Sequence, residues 1–454
     1  MCGLAGAINV PDASRYVHDC LTLQVHRGED GVGIVSRGHV DKALGSIRTL
    51  EYQERPGDTS IGHVRYTTKG GAKNAANIQP LEVRDGLWFA HNGTLHGQST
   101  DVDAFRDDME RGGVDFKTDS DTEVFAQWVA TFDGDLIDGI RAACEEIPLA
   151  FSFLIWDKNS DTVIAMRDKY GVRPLGIAKI GEGYLVCSEN YTFDQYPECE
   201  YVREVEPGEM VIFQNGQMSR IQYDEPQESF CVFEGIYFSD PRTRYQGTYH
   251  EDFRFALGQE LYKENPDIMG HCIIPILDSG KQAALGLARA SGIPYEESFK
   301  RQHNPPRANL RSFTLSTLEE RVRTAYQKLH LRKEKVRDKD VVIVDDSIVR
   351  STTIGIICER LRGAGVRSIT VCISCPPISN ICPFGIDFQT RDQLIAHFNT
   401  IEQIREKIGA DRLVYLSLEG LHRVVNSQYK CGVCSGCFGG TYAGEEHDNH
   451  SRLR

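Results

Sequence analysis

Cysteine is the second residue of the chain, directly behind the initiator methionine. Loss of Met1 would give Cys2 a free α-amino group, whose ordinary pKa of about 7.7–8.0 suits a general base. Thiol and base would then share one residue, which is what nucleophilic catalysis by cysteine needs. The plainer reading is a small buried residue beside the start. A second cluster is VVIVDDSIVRSTT at 341–353, an apolar strand that ends in two acids, a short polar loop and the start of a helix. The first amides of a helix are unpaired and attract anions, and Ser347, Arg350, Ser351, Thr352 and Thr353 add donors for a phosphate. Asp345 and Asp346 would not touch phosphate; they suit sugar hydroxyls and a Mg²⁺-bound diphosphate. The bland alternative is a strand end followed by capping residues. A third group is CGVCSGC at 431–437, whose C-x-x-C spacing fits zinc, redox chemistry or an iron–sulfur centre.

The elements that must hold these groups change character along the chain. Residues 1–225 carry short strand-like runs such as LAGAINV, GLWFAHNGTL, AFSFLIWD and EMVIFQNGQ, with Asn215-Gly216 as a hairpin turn. Helical patterns interrupt them near 120–132 and 139–146. This predicts an α+β domain on antiparallel sheets. Over 226–430 apolar strands (CIIPILD, VVIVDD, SITVCIS) alternate with amphipathic helices, which predicts an α/β parallel-sheet domain. In the helix after Thr353, Ile354, Ile357, Cys358 and Leu361 form one buried stripe. A cysteine-containing segment at 431–454 closes the chain, and its polar end reads as a mobile tail.

At 454 residues, two or three domains are expected, and 40% hydrophobic residues suffice for a core in each. The net charge of −14 argues against broad binding to nucleic acid or to an anionic membrane. No apolar run approaches the ~18 residues of a membrane span, and no signal peptide is legible, so a cytoplasmic location is expected. Fourteen cysteines in such a chain favour metal or catalytic use over a disulfide framework.

Five strings, CGLAG at 2–6, HRGED at 26–30, GHVRYTT at 62–68, AHNGTL at 90–95 and SDTEV at 120–124, resemble the N-terminal-nucleophile (class II) glutamine amidotransferases in type and order. The resemblance implies an αββα glutaminase with Cys2 as nucleophile. It also implies the Asn92 side chain and Gly93 amide as oxyanion donors, Arg65 as clamp for the glutamine α-carboxylate and Asp121 as partner of its α-ammonium. Arg27 and Gly28 would lie on a loop that closes over the nucleophile. Taken singly, Arg65 could be a surface charge and Asp121 a helix cap.

The 341–353 string is similar to the 5-phosphoribosyl-1-pyrophosphate loop of phosphoribosyltransferases, most closely that of the amidophosphoribosyltransferase family. CVFEGIYFSDPRT at 231–243, IPILDSGKQAALGLA at 274–288, FGIDFQTRDQLIA at 384–396 and IGADRLVYLSLEGL at 408–421 extend the likeness over nearly the whole chain. It implies Asp278 and Ser279 at a turn that helps bind Mg²⁺ and diphosphate. It implies a [4Fe–4S] cluster on Cys231, Cys382, Cys434 and Cys437, with Cys431 as an extra candidate. A homo-oligomer, a tetramer in the family, is implied as well. The expected reaction joins glutamine-derived ammonia to 5-phosphoribosyl-1-pyrophosphate, giving 5-phosphoribosylamine at the start of purine synthesis. Three departures stand out: Glu29 where the family usually has glutamine, Ser351 where it has glycine, and RQHNPPRANLRSFT at 301–314 in place of the usual mobile loop. They leave open a paralogue with a changed donor or acceptor, or a nucleotide-binding regulator without turnover.

Overall fold

The computed structural model of the chain describes residues 1–67, 74–95, 102–146, 150–301, 329–386 and 390–445. It divides into two compact units, Met1–Phe230 with Cys382–Gln389, and Cys231–Ile381 with Thr390–Arg454.

In the first unit the elements are β1 (Gly3–Ile8), α1 (Ala13–Leu23), β2 (Gly31–Ser36), β3 (His39–Leu44), β4 (Thr59–Arg65), β5 (Leu81–Arg84), β6 (Leu87–Gly93), α2 (Val102–Arg111), α3 (Asp121–Thr131) and α4 (Leu136–Glu146). They continue with β7 (Phe151–Asp157), β8 (Thr162–Arg167), β9 (Gly176–Ile180), β10 (Gly183–Cys187), β11 (Cys199–Glu204), β12 (Glu209–Gln214) and β13 (Gln217–Gln222). Two antiparallel sheets result, in the orders β11-β9-β10-β1-β4-β2-β3 and β13-β12-β8-β7-β6-β5.

The alternation of side chains along each strand makes four layers. Leu4 and Ile8 of β1 join Ala90, Leu154, Trp156 and Val211 in a core between the sheets. Ala5 and Ala7 face the other way, onto Val17, Cys20 and Leu21 of α1. Phe89, Phe153 and Ile155 of the second sheet pack on Val124 and Phe125 of α3 and Ile140 of α4. The order helix, sheet, sheet, helix is the αββα arrangement expected. At the predicted hairpin both Asn215 and Gly216 have positive φ, 53° and 72°, as a tight β12–β13 turn requires.

Two helices of this unit were not read from the sequence. α1 follows Asp12, an ordinary start residue, and sets Ala13, Val17, Cys20 and Leu21 on one buried face. α2 is dominated by charged residues and buries only Val102 and Met109.

In the second unit, strands Cys272–Pro275, Asp340–Asp345, Ser368–Ile373 and Arg412–Tyr415 form a parallel sheet in that order. Helices His250–Glu264, Lys281–Ser291, Thr352–Gly363, Ile401–Ile408 and Leu418–Gln428 connect and cover it. Val341 to Val344 are all buried, and so are Ile354, Ile357, Cys358 and Leu361. The tail expectation is corrected up to residue 445, because Tyr442 and Ala443 are buried and the Tyr442 hydroxyl donates to the Ile381 carbonyl. The 301–314 string lies outside the described residues from 302 onward.

Candidate active site

β1 pairs with β4 so that Gly3 faces Val64, which sets Cys2 beside the Arg65–Tyr66 end of β4. The Tyr66 amide donates to Cys2 Sγ at 3.5 Å. From the second sheet, β6 presents Asn92, whose Oδ1 accepts the Cys2 backbone N–H at 3.0 Å. That bond turns Asn92 Nδ2 the other way, and Nδ2 is buried without a hydrogen-bond partner. Such an orphan donor costs about 1–3 kcal/mol in a folded protein. Beside a candidate nucleophile, a ligand oxygen that accepts from it would offset this cost. Gly93, at φ +149°, ends the same strand opposite Phe151.

Arg27 is fully buried. Its Nε donates to the Cys2 carbonyl at 2.8 Å and its Nη1 to Glu189 Oε1 at 2.6 Å. His26 Nε2 lies 2.6 Å from the same oxygen. Burial alone would raise the Glu189 carboxyl, but His26 and Arg27 outweigh it and hold the group well below the ordinary carboxylate range. Gly28 abuts β4 so closely that a Cβ there would stand 2.4 Å from the Arg65 carbonyl carbon. Only glycine permits that approach. Arg65 is itself buried. Asp121 opens α3, and its carboxylate accepts from Leu95 N at 2.9 Å, Thr122 N at 2.9 Å and Thr94 Oγ1 at 3.4 Å. Cys2 thus meets Arg27 and Asn92 directly, Gly28 abuts the Arg65 backbone, and Asp121 binds the residues that follow Gly93.

In the second unit Asp345 ends its strand and Asp346 follows it, both buried. Ser279 Oγ donates to Asp345 Oδ1 at 2.9 Å, Asp346 N donates to the same oxygen at 2.9 Å, and Ser347 Oγ donates to Asp346 Oδ2 at 2.7 Å. Burial, and then the charge of Asp346, push the Asp345 carboxyl well above its usual range. Gly280 lets the Ser279 turn reach the strand, since a Cβ on it would lie 2.2 Å from the Val344 carbonyl oxygen. Two crowded carboxylates with an adjacent hydroxyl are a donor set that fits a hard divalent cation. Arg350 Nη2 reaches Gln393 Oε1 at 2.8 Å. Ser351 precedes the Thr352–Gly363 helix without a side-chain cap bond, and Thr352 and Thr353 begin it.

A family model described as a glutamine amidotransferase domain matches residues 63–195. The amidophosphoribosyltransferase of Bacillus subtilis is 36% identical over 461 residues, which cover 98% of this chain and 94% of the relative. That of Archaeoglobus fulgidus is 34% identical and covers 97% of this chain and 98% of its own. The chain belongs to the amidophosphoribosyltransferase family. Among solved structures, one described as the allosteric regulatory enzyme of purine biosynthesis matches with a TM-score of 0.87 at 35% identity, covering 97% of this chain and 96% of the other. The B. subtilis glutamine phosphoribosylpyrophosphate amidotransferase complexed with ADP and GMP matches with a TM-score of 0.85, also at 35% identity, covering 97% of each chain.

Against that family background the cysteines divide. Cys231, Cys434 and Cys437 are buried in the second unit, while Cys382 belongs to the first. Backbone N–H groups of Ser379 and Asn380 donate to the Cys437 carbonyl at 3.0 and 3.2 Å, which fixes the C-x-x-C turn. None of the fourteen cysteines is in a disulfide. Among the described residues, no group of three or more His, Cys, Asp or Glu is placed to hold a metal ion. No helix among the described residues is long and apolar enough to cross a membrane. Sequence reading missed Glu189, which anchors Arg27 from across the unit. It also missed Gln79 and Thr122, whose side chains brace β6. Glu189 appears in the sequence only as an acid after the apolar run Tyr184–Cys187, and nothing there marks its partner.

Proposed function

We propose that the chain makes 5-phosphoribosylamine from 5-phosphoribosyl-1-pyrophosphate and ammonia that its first unit releases from glutamine. The orphaned Asn92 Nδ2 beside Cys2 carries the first half of this reading; family membership over the full chain carries the second. After loss of Met1, the Cys2 α-amino group takes the thiol proton and the sulfur attacks the glutamine carboxamide carbon. Asn92 Nδ2 and the Gly93 amide hold the resulting oxyanion, each such donor being worth about 2.7–4 kcal/mol in enzymes of this kind. Arg65 binds the α-carboxylate and Asp121 the α-ammonium, while Arg27 holds the Cys2 carbonyl in place. The ammonium proton returns to the departing nitrogen, ammonia leaves, and water cleaves the thioester to glutamate.

In the second unit the Ser347–Thr353 loop, with Arg350 and Ser351, cradles the 5-phosphate at a helix start. Asp345 and Asp346 face the ribose hydroxyls, and with Ser279 they would hold Mg²⁺, which neutralises charge on the diphosphate leaving group. Ammonia then displaces diphosphate at ribose C1. We further propose a [4Fe–4S] cluster on Cys231, Cys382, Cys434 and Cys437, a cytoplasmic location and a homotetramer. These rest on the family resemblance, and about four iron atoms per chain in anaerobically purified protein would support the cluster, whereas zinc would overturn it.

The deciding assay follows glutamate and diphosphate together, with and without 5-phosphoribosyl-1-pyrophosphate and Mg²⁺. Glutamate and diphosphate in step support the reading. Glutamate without diphosphate points to a different donor, and neither product points to a regulator.

A further inference from the structure

His91 lies on β6 directly before the two residues read above as oxyanion donors, and strand alternation turns its ring away from Cys2, towards α3. The ring is 2% exposed and stacks on Phe153 at 4.6 Å between centroids. Its environment is a closed ring of hydrogen bonds. β5 pairs Leu81 with Phe89, so residue 79, just before the strand begins, falls opposite His91. There the Gln79 side chain takes the place of a strand neighbour, and Oε1 accepts His91 N–H at 2.6 Å. Gln79 Nε2 donates to Thr122 Oγ1 at 2.9 Å, and Thr122 Oγ1 lies 3.0 Å from His91 Nδ1.

Thr122 Oγ1 accepts from Gln79 Nε2 and keeps its own hydrogen and a second lone pair for His91 Nδ1, so the ring of bonds closes in either tautomer of the neutral imidazole. His91 Nε2 is buried without a hydrogen-bond partner and lies 2.9 Å from where a Cβ on Gly93 would stand. Burial lowers the His91 pKa to about 4, in keeping with a neutral ring at working pH.

We propose that Gln79, Thr122 and His91 form a positioning relay that ties the start of α3, with Asp121, to the Asn92–Gly93 end of β6. Gly93 has no side chain to lock its φ of +149°, and the His91 ring beneath it fills that role. Thr122 adjoins Asp121, so the subsite for the α-ammonium and the oxyanion donors move as one body. His91 is thus a positioning residue, and it acts through Asn92 and Gly93. This inference rests on the glutaminase reading above.

The test uses the full chain and steady-state glutamine hydrolysis. Thr122→Val deletes the hydroxyl at nearly constant volume, and Thr122→Ser keeps it. Thr122→Val is expected to lower kcat on the order of tenfold or more with KM for glutamine within about threefold, and Thr122→Ser to stay within about threefold of the parent in both. Gln79→Leu opens the same ring elsewhere and should give a similar fall. The double variant should be no worse than either single one, because one break already opens the ring. If Thr122→Val does not fold, Gln79→Leu alone reads the loss. An unchanged kcat in the opened rings, a Thr122→Ser variant as poor as Thr122→Val, or additive losses overturn the relay while the parent still hydrolyses glutamine. A parent that releases no glutamate takes down the glutaminase reading itself.

Discussion

The Cys2 backbone nitrogen donates to Asn92 Oδ1 at 3.0 Å, and this one bond orients the asparagine so that its amide nitrogen is left free beside the thiol. The orientation has a measurable consequence. Asn92→Ala should lower kcat for glutamine hydrolysis on the order of 10²–10³-fold, with a much smaller change in KM, because the lost donor acts on charge that develops in the transition state. A change confined to KM would show that Asn92 only binds substrate.

Cys2→Ala should end glutamine-dependent synthesis and leave synthesis from high free ammonia intact. On this reading the acceptor step needs only ammonia, and Cys2 belongs to the first unit. Glutamate release at the parent rate by Cys2→Ala would remove Cys2 as nucleophile.

The buried Arg27–Glu189 pair lies behind the nucleophile. Replacing one partner of a buried pair leaves an uncompensated charge, at a typical cost of about 3–5 kcal/mol. Glu189→Gln should therefore lower the urea midpoint clearly and reduce glutamine turnover through the loosened Cys2 carbonyl. Stability equal to the parent would mean that Arg27 finds its compensation elsewhere.

Much of this was legible in the sequence, for reasons that differ by residue. Cys2, Asn92 and the Asp345–Asp346 strand end stand in strings whose residue types are fixed by chemistry. The parallel strands of the second unit read as unbroken apolar runs because both faces are covered, as with Val341 to Val344. α1 was legible in principle, from Asp12 at its start and Ala13, Val17, Cys20 and Leu21 at helical spacing, and was not read. Glu189, Gln79 and Thr122 were not legible. Their work depends on contacts over 162, 12 and 31 residues of separation, and no local pattern encodes those.

Histidines 63 and 91 set an acid limit on the first unit. Burial lowers their pKa values to about 3 and about 4, against an ordinary value of about 6.5. The folded chain thus refuses protons that the unfolded chain accepts, so stability is full above about pH 6.5 and falls as pH drops towards the folded values. Between pH 7 and pH 5 each histidine should cost about 2 kcal/mol by this linkage. Asp168, raised by burial to about 6, works in the opposite direction and returns about 1 kcal/mol over the same interval. Asp345 and Glu204, whose carboxyls are also raised by burial, work in the same direction as Asp168. Urea titrations therefore read the histidine contribution as a difference: between pH 7 and pH 5 the parent should lose about 2 kcal/mol more, or gain that much less, than His91→Asn, which has no ring to protonate. Equal changes would place the titration elsewhere.

The last prediction sets stability against function at Asp345. Its carboxyl is raised by burial and by Asp346, so as a charged group near neutral pH it opposes folding. Asp345→Asn keeps an oxygen for Ser279 Oγ and Asp346 N while it removes that charge. In the absence of Mg²⁺ the variant should therefore melt at a higher temperature than the parent. It should also lose donor turnover on the order of a hundredfold if, as proposed, Asp345 is one of two carboxylates that hold the cation and the ribosyl donor. Chelation of Mg²⁺ from the parent should likewise stop diphosphate release while glutamine hydrolysis continues at its donor-free rate. Added Mg²⁺ should raise the parent's melting temperature and move that of Asp345→Asn little, since binding to the folded state stabilises by mass action. A variant that melts lower and still turns over would mean that the acid pair is structural, with the cation held by other groups.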